Sequence, residues 1–323
     1  MQQNKYSLVP QATSLEELIL RAKAFVVSAK APATLRAYRS DWKDFEDWAR
    51  MRQLQALPAS PQTVALYITD RASTLASGTI TRRLTSITKA HQSSGFAESP
   101  ASTHNFILSQ TLKGIRRTIG TAQVGKNPLL ADDIRAIIFA SAEGPKGARD
   151  RALVLTGFSG AFRRSELARM NVLDLEFTAD GIVVDVPVSK TDQEAAGRKV
   201  GLPFGDNPNT CPVLALRRWI KEAQISEGPV FRKVGRYGHV SKRGLNSNSI
   251  GGLLKRAAAR AGMRVEPLGG HSLRSGHVTQ AAMNGVAERV IMRQTGHRST
   301  KTLRRYIRIG EMFRENAARG LGI

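Results

Sequence analysis

The sequence predicts a mainly α protein in two parts: an all-helical N-terminal unit, and a C-terminal unit that adds one small antiparallel β-sheet. Three observations carry this. Apolar residues recur at three- and four-residue steps through most of the 323 residues. A polar stretch, Gly120 to Pro128, divides the chain. Only between residues 182 and 203 does the pattern change to short β-branched runs.

Residues 1–14 read as a loose tail, and helical patterning begins near Leu15. Segment 34–52 is the clearest helix, with Leu35, Tyr38, Trp42, Phe45 and Trp48 on one stripe and Arg36, Arg39, Lys43 and Arg50 on the other face. The aromatic stripe is read as core. A second helix starts at Ser60-Pro61, a capping side chain followed by proline at the first helical position, and buries Val64, Tyr67 and Ile68. A third spans 78–91, with Ile80, Leu84 and Ile87 inward and Arg82, Arg83 and Lys89 elsewhere. A fourth covers 103–117. These four helices form a domain over 15–120, followed by a linker at 121–128. The second domain, 129–323, opens with helices at 130–142 and 149–157. Strands follow at 182–188 and 198–203, joined by a polar connection, 189–197. Further helices are expected at 212–224, 247–261, 275–285, 286–295 and 300–306, and a last one at 312–319.

Composition narrows the function. Lys and Arg number 49 against 26 acidic residues, a net charge of +23, which favours a polyanion and above all nucleic acid. The excess is shared: residues 1–120 hold 16 basic and 8 acidic residues, and the remainder 33 and 18. Both halves can therefore touch DNA, as a clamp does. The only cysteine, Cys211, permits no intrachain disulfide and is read as a packed small residue. No apolar run approaches the ~18–20 residues of a membrane span, and no signal peptide is visible, so a cytoplasmic, nucleoid-associated protein without membrane contact is expected.

The residues that carry chemistry lie near the C-terminus: His271-Ser272-Leu273-Arg274, then Gly296-His297, then Tyr306. Breaking a phosphodiester needs a nucleophile, neutralisation of charge on the pentacoordinate phosphorus, and a proton for the leaving oxygen. Metal enzymes supply the second through carboxylate-bound ions. The sequence shows no convincing cluster of that kind and no zinc spacing. The alternative is arginine forks on the non-bridging oxygens, with a tyrosine as nucleophile.

These boxes resemble the tyrosine recombinases, the lambda-integrase family. Gly160-Ala161-Phe162-Arg163-Arg164-Ser165-Glu166-Leu167 is similar to the family's first arginine box, with Arg163 at the arginine position and Glu166 at the supporting acidic one. Ser189-Lys190-Thr191-Asp192-Gln193 resembles the β-turn that delivers a catalytic lysine, Lys190, although Arg198 and Lys199 flank the same loop. His271 and Arg274 match the His-x-x-Arg box, His297 the Gly-His box, and Tyr306 the nucleophile. Phe162 replaces the usual leucine, and Thr295 stands where leucine is common.

The resemblance implies a helical core-binding domain over 15–120 and a tyrosine-recombinase catalytic domain beyond it, of the Xer-like or Cre-like kind without an arm-binding domain. Arg163 and Arg274 would clamp the phosphate, Glu166 would orient Arg163, and Lys190 would protonate the 5′ oxygen. His271 would accept a proton or bind phosphate, His297 would bond a non-bridging oxygen, and Tyr306 would form a 3′-phosphotyrosyl link. No metal or other cofactor is implied. The expected partners are double-stranded DNA with an inverted-repeat recombination site and a homotetramer on two such sites that passes through a Holliday junction, with room for accessory proteins. DNA contacts are expected from helices 34–52, 78–91 and 247–261, through Arg36, Arg39, Lys43, Arg82, Arg83 and Lys255. Two other readings stay open: a topoisomerase of type IB character, and a catalytically idle DNA-binding accessory protein.

Overall fold

A computed structural model describes residues 14–96, 99–102, 105–122, 125–187 and 197–297, together with 299–300, 303–304, 306–307, 318 and 321. Most of the expected tail, the Lys190 turn, and most of the expected helix at 312–319 lie outside the described residues. The chain forms two compact units, Met1–Val124 and Gly125–Ile323.

Among the described residues, the first unit holds five helices: α1 (Leu15–Ser28), α2 (Pro32–Met51), α3 (Pro61–Arg71), α4 (Ser77–Ser93) and α5 (Phe106–Ile119). The clear helix starts two residues earlier than its periodicity implied, because Pro32 supplies a pre-set φ at the first turn. The Ser60 hydroxyl accepts from Thr63 N at 3.1 Å and so begins α3. Asn105 accepts from Leu108 N at 3.2 Å, which sets the start of α5 at Phe106 and not near residue 103. Of the expected aromatic stripe, Phe45 and Trp48 enter the core, Trp42 packs on its edge, and Leu35 and Tyr38 stay half-buried outside it. Phe45, Trp48 and Tyr67 pack edge-on or stacked with centroids 5.0–6.4 Å apart, closed by Ile68, Ile80, Ile87 and Leu108. The added helix, α1, leaves Leu15, Leu20, Phe25 and Val26 exposed.

The second unit begins with α6 (Ala131–Phe139), α7 (Gly144–Ser159) and the six-residue α8 (Arg164–Arg169). Strands β1 (Leu175–Phe177), β2 (Gly181–Val186) and β3 (Arg198–Pro203) form one antiparallel sheet in that order. Val184 faces Leu175 on one side and Val200 on the other, and Val186 faces Arg198. The alternation of β3 turns Val200 and Leu202 into the core. Then follow α9 (Pro212–Glu222), a second hairpin β4 (Arg232–Val234) and β5 (Val240–Gly244), and helices α10 (Ser247–Arg260), α11 (Ser272–Met283) and α12 (Glu288–Thr295). Among the described residues, the unit therefore holds two small sheets where one was expected. Helix α7 is its spine, with Leu153 facing the β-sheet side of the core and Val154 and Leu155 facing α6 and α10.

Glycine permits the close approach that positions α11. A Cβ on Gly276 would lie 1.8 Å from the Leu129 carbonyl oxygen, and Leu129 N donates to the Ser272 carbonyl at 3.1 Å. The start of α11 is thereby pressed against the segment entering α6. Among the described residues, no helix is long and apolar enough to cross a membrane.

Candidate active site

The site is assembled from α8, β3, α11 and the turn that ends α12. Arg163 precedes α8 and is almost fully buried. Its Nη1 donates to Glu166 Oε1 at 2.7 Å, and its backbone N–H donates to Glu166 Oε2 at 2.8 Å. Glu166 thus caps its own helix and orients the arginine three residues earlier. Arg164 is only half-buried, with its carbon stem lying against Gly270.

Arg198, the first residue of β3, also reaches Glu166. Its Nη2 donates to Glu166 Oε2 at 2.9 Å, its Nη1 to the Gln294 carbonyl at 2.8 Å, and its guanidinium lies 6.0 Å from the Phe162 ring. From the sequence, Arg198 is no more than a basic residue flanking the lysine turn. Its partners stand 32 and 96 positions away, and no local pattern could have named them.

Arg274 lies on the first turn of α11 and is buried. Its Nη1 donates to the Ala161 carbonyl at 2.6 Å and its Nη2 to the Thr295 carbonyl at 2.7 Å. One guanidinium therefore joins the first arginine box to the Gly-His turn. Ala161 points its carbonyl inward by taking a φ of 49°, in the left-handed region that favours glycine. Gly296 ends α12 with φ 66° and ψ 37°, the usual left-handed helix terminus. Gln294 Nε2 donates to the Ser159 and Gly201 carbonyls at 3.1 Å each, which fixes this turn to α7 and β3.

His297 follows directly. Its Nε2 is 3.3 Å from Arg274 Nη2, and its Nδ1 is 2.7 Å from Thr295 Oγ1. His271 sits one turn before Arg274 and is exposed; the Ser275 N–H and hydroxyl both donate to its carbonyl at 2.9 Å. Tyr306 is half-buried against the small core of Val278, Ala282, Ile291, Leu303 and Ile307, within electrostatic reach of Arg274. The structure thus brings Arg163, Glu166, Arg274, His297 and Tyr306 together, with His271 at the same helix start. Lys190 lies outside the described residues.

The electrostatics follow from two guanidiniums sharing the Glu166 carboxylate and a third, Arg274, within reach of them. Burial opposes ionisation of Glu166, but Arg198 and Arg163 outweigh it and hold the carboxyl below the usual range. Burial and then the like charge of Arg163 push Arg274 down to about 9, with Arg198 adding to the effect. Burial is also the main cause that lowers Arg198, with Arg163 adding to it against the pull of Glu166. Burial, then Arg274, Arg163 and Arg198, push His297 down to about 4. Such a cluster is poised for an anion: a phosphodiester placed there relieves repulsion already built into the fold. Among the described residues, no group of three or more His, Cys, Asp or Glu is placed to hold a metal ion.

The expected DNA contacts divide. Arg36, Arg39 and Lys43 are exposed on α2, where Lys43 pairs with Asp47 at 2.9 Å. Lys255 is half-buried on α10. Arg82 is exposed but forks onto buried Asp41 at 2.8 and 2.9 Å. Arg83 departs from the expectation. Its side chain is 14% exposed and is engaged by Asp44 and the Tyr67 hydroxyl, with Asp41 3.8 Å from its Nε. The periodicity of α4 placed it off the core stripe, but the acidic residues of α2 draw it inward.

Comparison with known proteins agrees with this geometry. Residues 127–311 match the phage integrase family. The chain is 38% identical over 303 residues to an integrase/recombinase XerD homolog of Selenomonas ruminantium, covering 94% of this chain and 89% of the relative. Its fold is similar to that of the Tn1549 transposon integrase in complex with transposon right-end DNA (TM-score 0.64, 15% identity, 89% of this chain and 93% of that one). It is also similar to XerH site-specific recombinase bound to a palindromic difH substrate (TM-score 0.61, 17% identity, 80% and 71%) and to a lambda integrase dimer bound to a core site (TM-score 0.59, 18% identity, 91% and 95%). With its arginine boxes, Gly-His turn and tyrosine in one site, the chain belongs to the phage integrase family of tyrosine-type site-specific DNA recombinases.

Proposed function

We propose that the protein exchanges DNA strands by covalent catalysis at Tyr306, on short inverted-repeat sites, as a tetramer that holds two DNA duplexes. The observation that carries this reading is the cluster of Arg163, Arg198 and Arg274 around the Glu166 carboxylate, with His297 and Tyr306 beside it.

In the forward step, Tyr306 Oη attacks phosphorus and the bond to the 5′ oxygen breaks. The tyrosine proton passes to a nearby base, for which exposed His271 is the candidate. The departing 5′ oxygen takes a proton, for which Lys190 is the candidate. Arg163 and Arg274 hold the non-bridging oxygens. The 3′-phosphotyrosyl bond conserves the energy of the broken link, so a 5′ hydroxyl from a second duplex can reverse the step and join a new strand through a Holliday junction. The helical unit 15–120 serves as the core-binding domain joined through 121–128 to the catalytic domain 129–323. Exposed Arg36, Arg39, Lys43 and Arg82 and half-buried Lys255 give phosphate contacts. The protein acts in the cytoplasm on nucleoid DNA, with room for accessory proteins.

The test is covalent capture in EDTA. The protein is incubated with DNA from its own locus, denatured, and compared with Tyr306→Phe. A 3′-linked adduct lost in the variant is expected. DNA that binds but yields no adduct from the wild type would sink the phosphotyrosyl reading in favour of an idle binding protein.

A further inference from the structure

The turn that carries His297 is held by a hydroxyl with no counterpart in a leucine. Thr295 is completely buried. Its Oγ1 lies 2.7 Å from the Ile291 carbonyl, 3.3 Å from the Met292 carbonyl and 2.7 Å from His297 Nδ1. Carbonyl oxygens only accept, so the one hydroxyl hydrogen is directed back into α12. The same oxygen must then accept from the imidazole, and Nδ1 carries the hydrogen. In a neutral ring that leaves the lone pair on Nε2. The opposite edge agrees independently: Arg274 Nη2, which can only donate, sits 3.3 Å from Nε2.

We propose that Thr295 is a positioning residue that fixes His297 in the Nδ1–H form and turns its Nε2 lone pair toward the phosphate clamp. The proposal rests on the phosphoryl-transfer reading above. A bare lone pair repels a non-bridging oxygen. His297 therefore engages the phosphate only after Nε2 takes a proton from solvent, giving an imidazolium with Nδ1–H on Thr295 and Nε2–H on the phosphate oxygen. The charged groups around the ring are Arg274 from α11, Arg163 beside α8 and Arg198 from β3, with Glu166 between the last two and Tyr306 in reach of Arg274. The empty cluster disfavours the added proton, and a phosphodiester anion favours it. Proton uptake is thereby tied to occupancy of the site. Thr295 stands where leucine is common in the family, so this device belongs to the present chain's own Thr-Gly-His turn.

The experiment is nitrogen-15 NMR of the His297 imidazole in the full chain, combined with single-turnover adduct formation. The free wild type and Thr295→Ser are expected to show protonated Nδ1 and bare Nε2. Thr295→Val, of equal size but without the hydroxyl, loses that preference and forms adduct about 10-fold more slowly at saturating DNA, the scale on which outer hydrogen-bond partners of functional histidines act. Thr295→Ser stays near wild type. In Tyr306→Phe bound to its DNA, both ring nitrogens become protonated. A free wild-type ring protonated at Nε2 would overturn the proposal, as would a Thr295→Val protein matching wild type in spectrum and rate. A ring that stays neutral on DNA would overturn the proton uptake. A wild type that forms no adduct removes the phosphotyrosyl reading, while the free-protein spectrum still decides the tautomer.

Discussion

In the N-terminal unit, Arg52, Arg71, Arg82 and Arg83 meet Asp41, Asp44 and Asp70, with Tyr67 donating to Asp44 at 2.7 Å and Trp48 Nε1 to Asp70 at 2.9 Å. In the C-terminal unit, among the described residues, Arg163 and Arg198 pair with Glu166, and Arg274 lies within electrostatic reach of it. The first arrangement nearly balances its charge and ties three helices together. Burial works against the Asp44 carboxyl, yet its bonds from Tyr67 and Arg71 keep it ionised below the usual range, while burial and Asp44 raise the Tyr67 phenol far above its own. Among the described residues, the second arrangement leaves positive charge unbalanced in a buried place. Structural ion pairs answer their own charge; a phosphate site waits for charge from outside.

Breaking one member of each cluster should separate these roles most sharply. Arg274→Gln is expected to slow adduct formation about 10³-fold, the range seen when a fixed charge on a transferring phosphoryl group is removed. Its stability should change little, because relief of repulsion offsets the lost bonds to the Ala161 and Thr295 carbonyls. Asp41→Ala should do the reverse. It takes the fork partner from Arg82 while Arg83 keeps Asp44, and since Arg82 is half-exposed the cost is about 2 kcal/mol, below that of a fully buried pair. Adduct formation at saturating DNA should stay near wild type. Urea denaturation and single-turnover kinetics on both variants check the pair of expectations. Equal stability losses without a catalytic gap would erase the contrast.

Much of this contrast was legible beforehand, and what was not has a physical reason. Arg163, Glu166, Arg274, His297 and Tyr306 each sit in a local box, so short-range spacing was enough to name them. Arg198 and Thr295 act through partners fixed by tertiary contact or by a hydroxyl's spare lone pair, and spacing is silent about both. Strand β1 and the β4–β5 hairpin escaped notice because three to five residues of mixed polarity, such as Arg232-Lys233-Val234, give no period to detect. Helix α8, six residues long, is set by Glu166 reaching back to Arg163 N more than by any apolar stripe. Arg83 misled because helical periodicity reports which residues lie off the apolar face, not which carboxylates the neighbouring helix brings there.

Acid should act on the second unit through a different pair of groups. Burial pushes His277 down to about 4, with Arg274 adding to it against a hydrogen bond with the Phe158 backbone, and the ring packs edge-on to Phe158 at 6.1 Å. His297 is likewise near 4. Both folded values lie below the unfolded value of about 6.5. The stability these rings contribute is therefore complete above about pH 6.5 and is lost as the pH falls toward 4. For His277 the loss is of order 3 kcal/mol, at ~1.4 kcal/mol per pKa unit. Urea midpoints measured from pH 7 to pH 4.5 should fall for the wild type and fall less for His277→Gln. A variant with the same acid slope as wild type would remove His277 as the cause.

The smallest expected effect concerns two residues that share a left-handed backbone but not a side chain. Ala161 has φ 49° and Gly296 φ 66°. Replacing Ala161 by glycine removes a left-handed penalty of about 1–2 kcal/mol. It also gives up about 0.8 kcal/mol of buried methyl and adds about 0.5–1 kcal/mol of unfolded-chain entropy. The terms nearly cancel, so Ala161→Gly should unfold within about 0.5 kcal/mol of wild type by that sum. Gly296→Ala takes on the penalty with no such return, and its new Cβ would lie 2.9 Å from Arg198 Cδ and Nε. It should lose about 1–2 kcal/mol, and also slow adduct formation, because Arg198 is displaced from Glu166 and the Gln294 carbonyl together. If Ala161→Gly proved as costly as Gly296→Ala, the Arg274 anchor at residue 161 would depend on packing of the alanine methyl more than on the direction of its carbonyl.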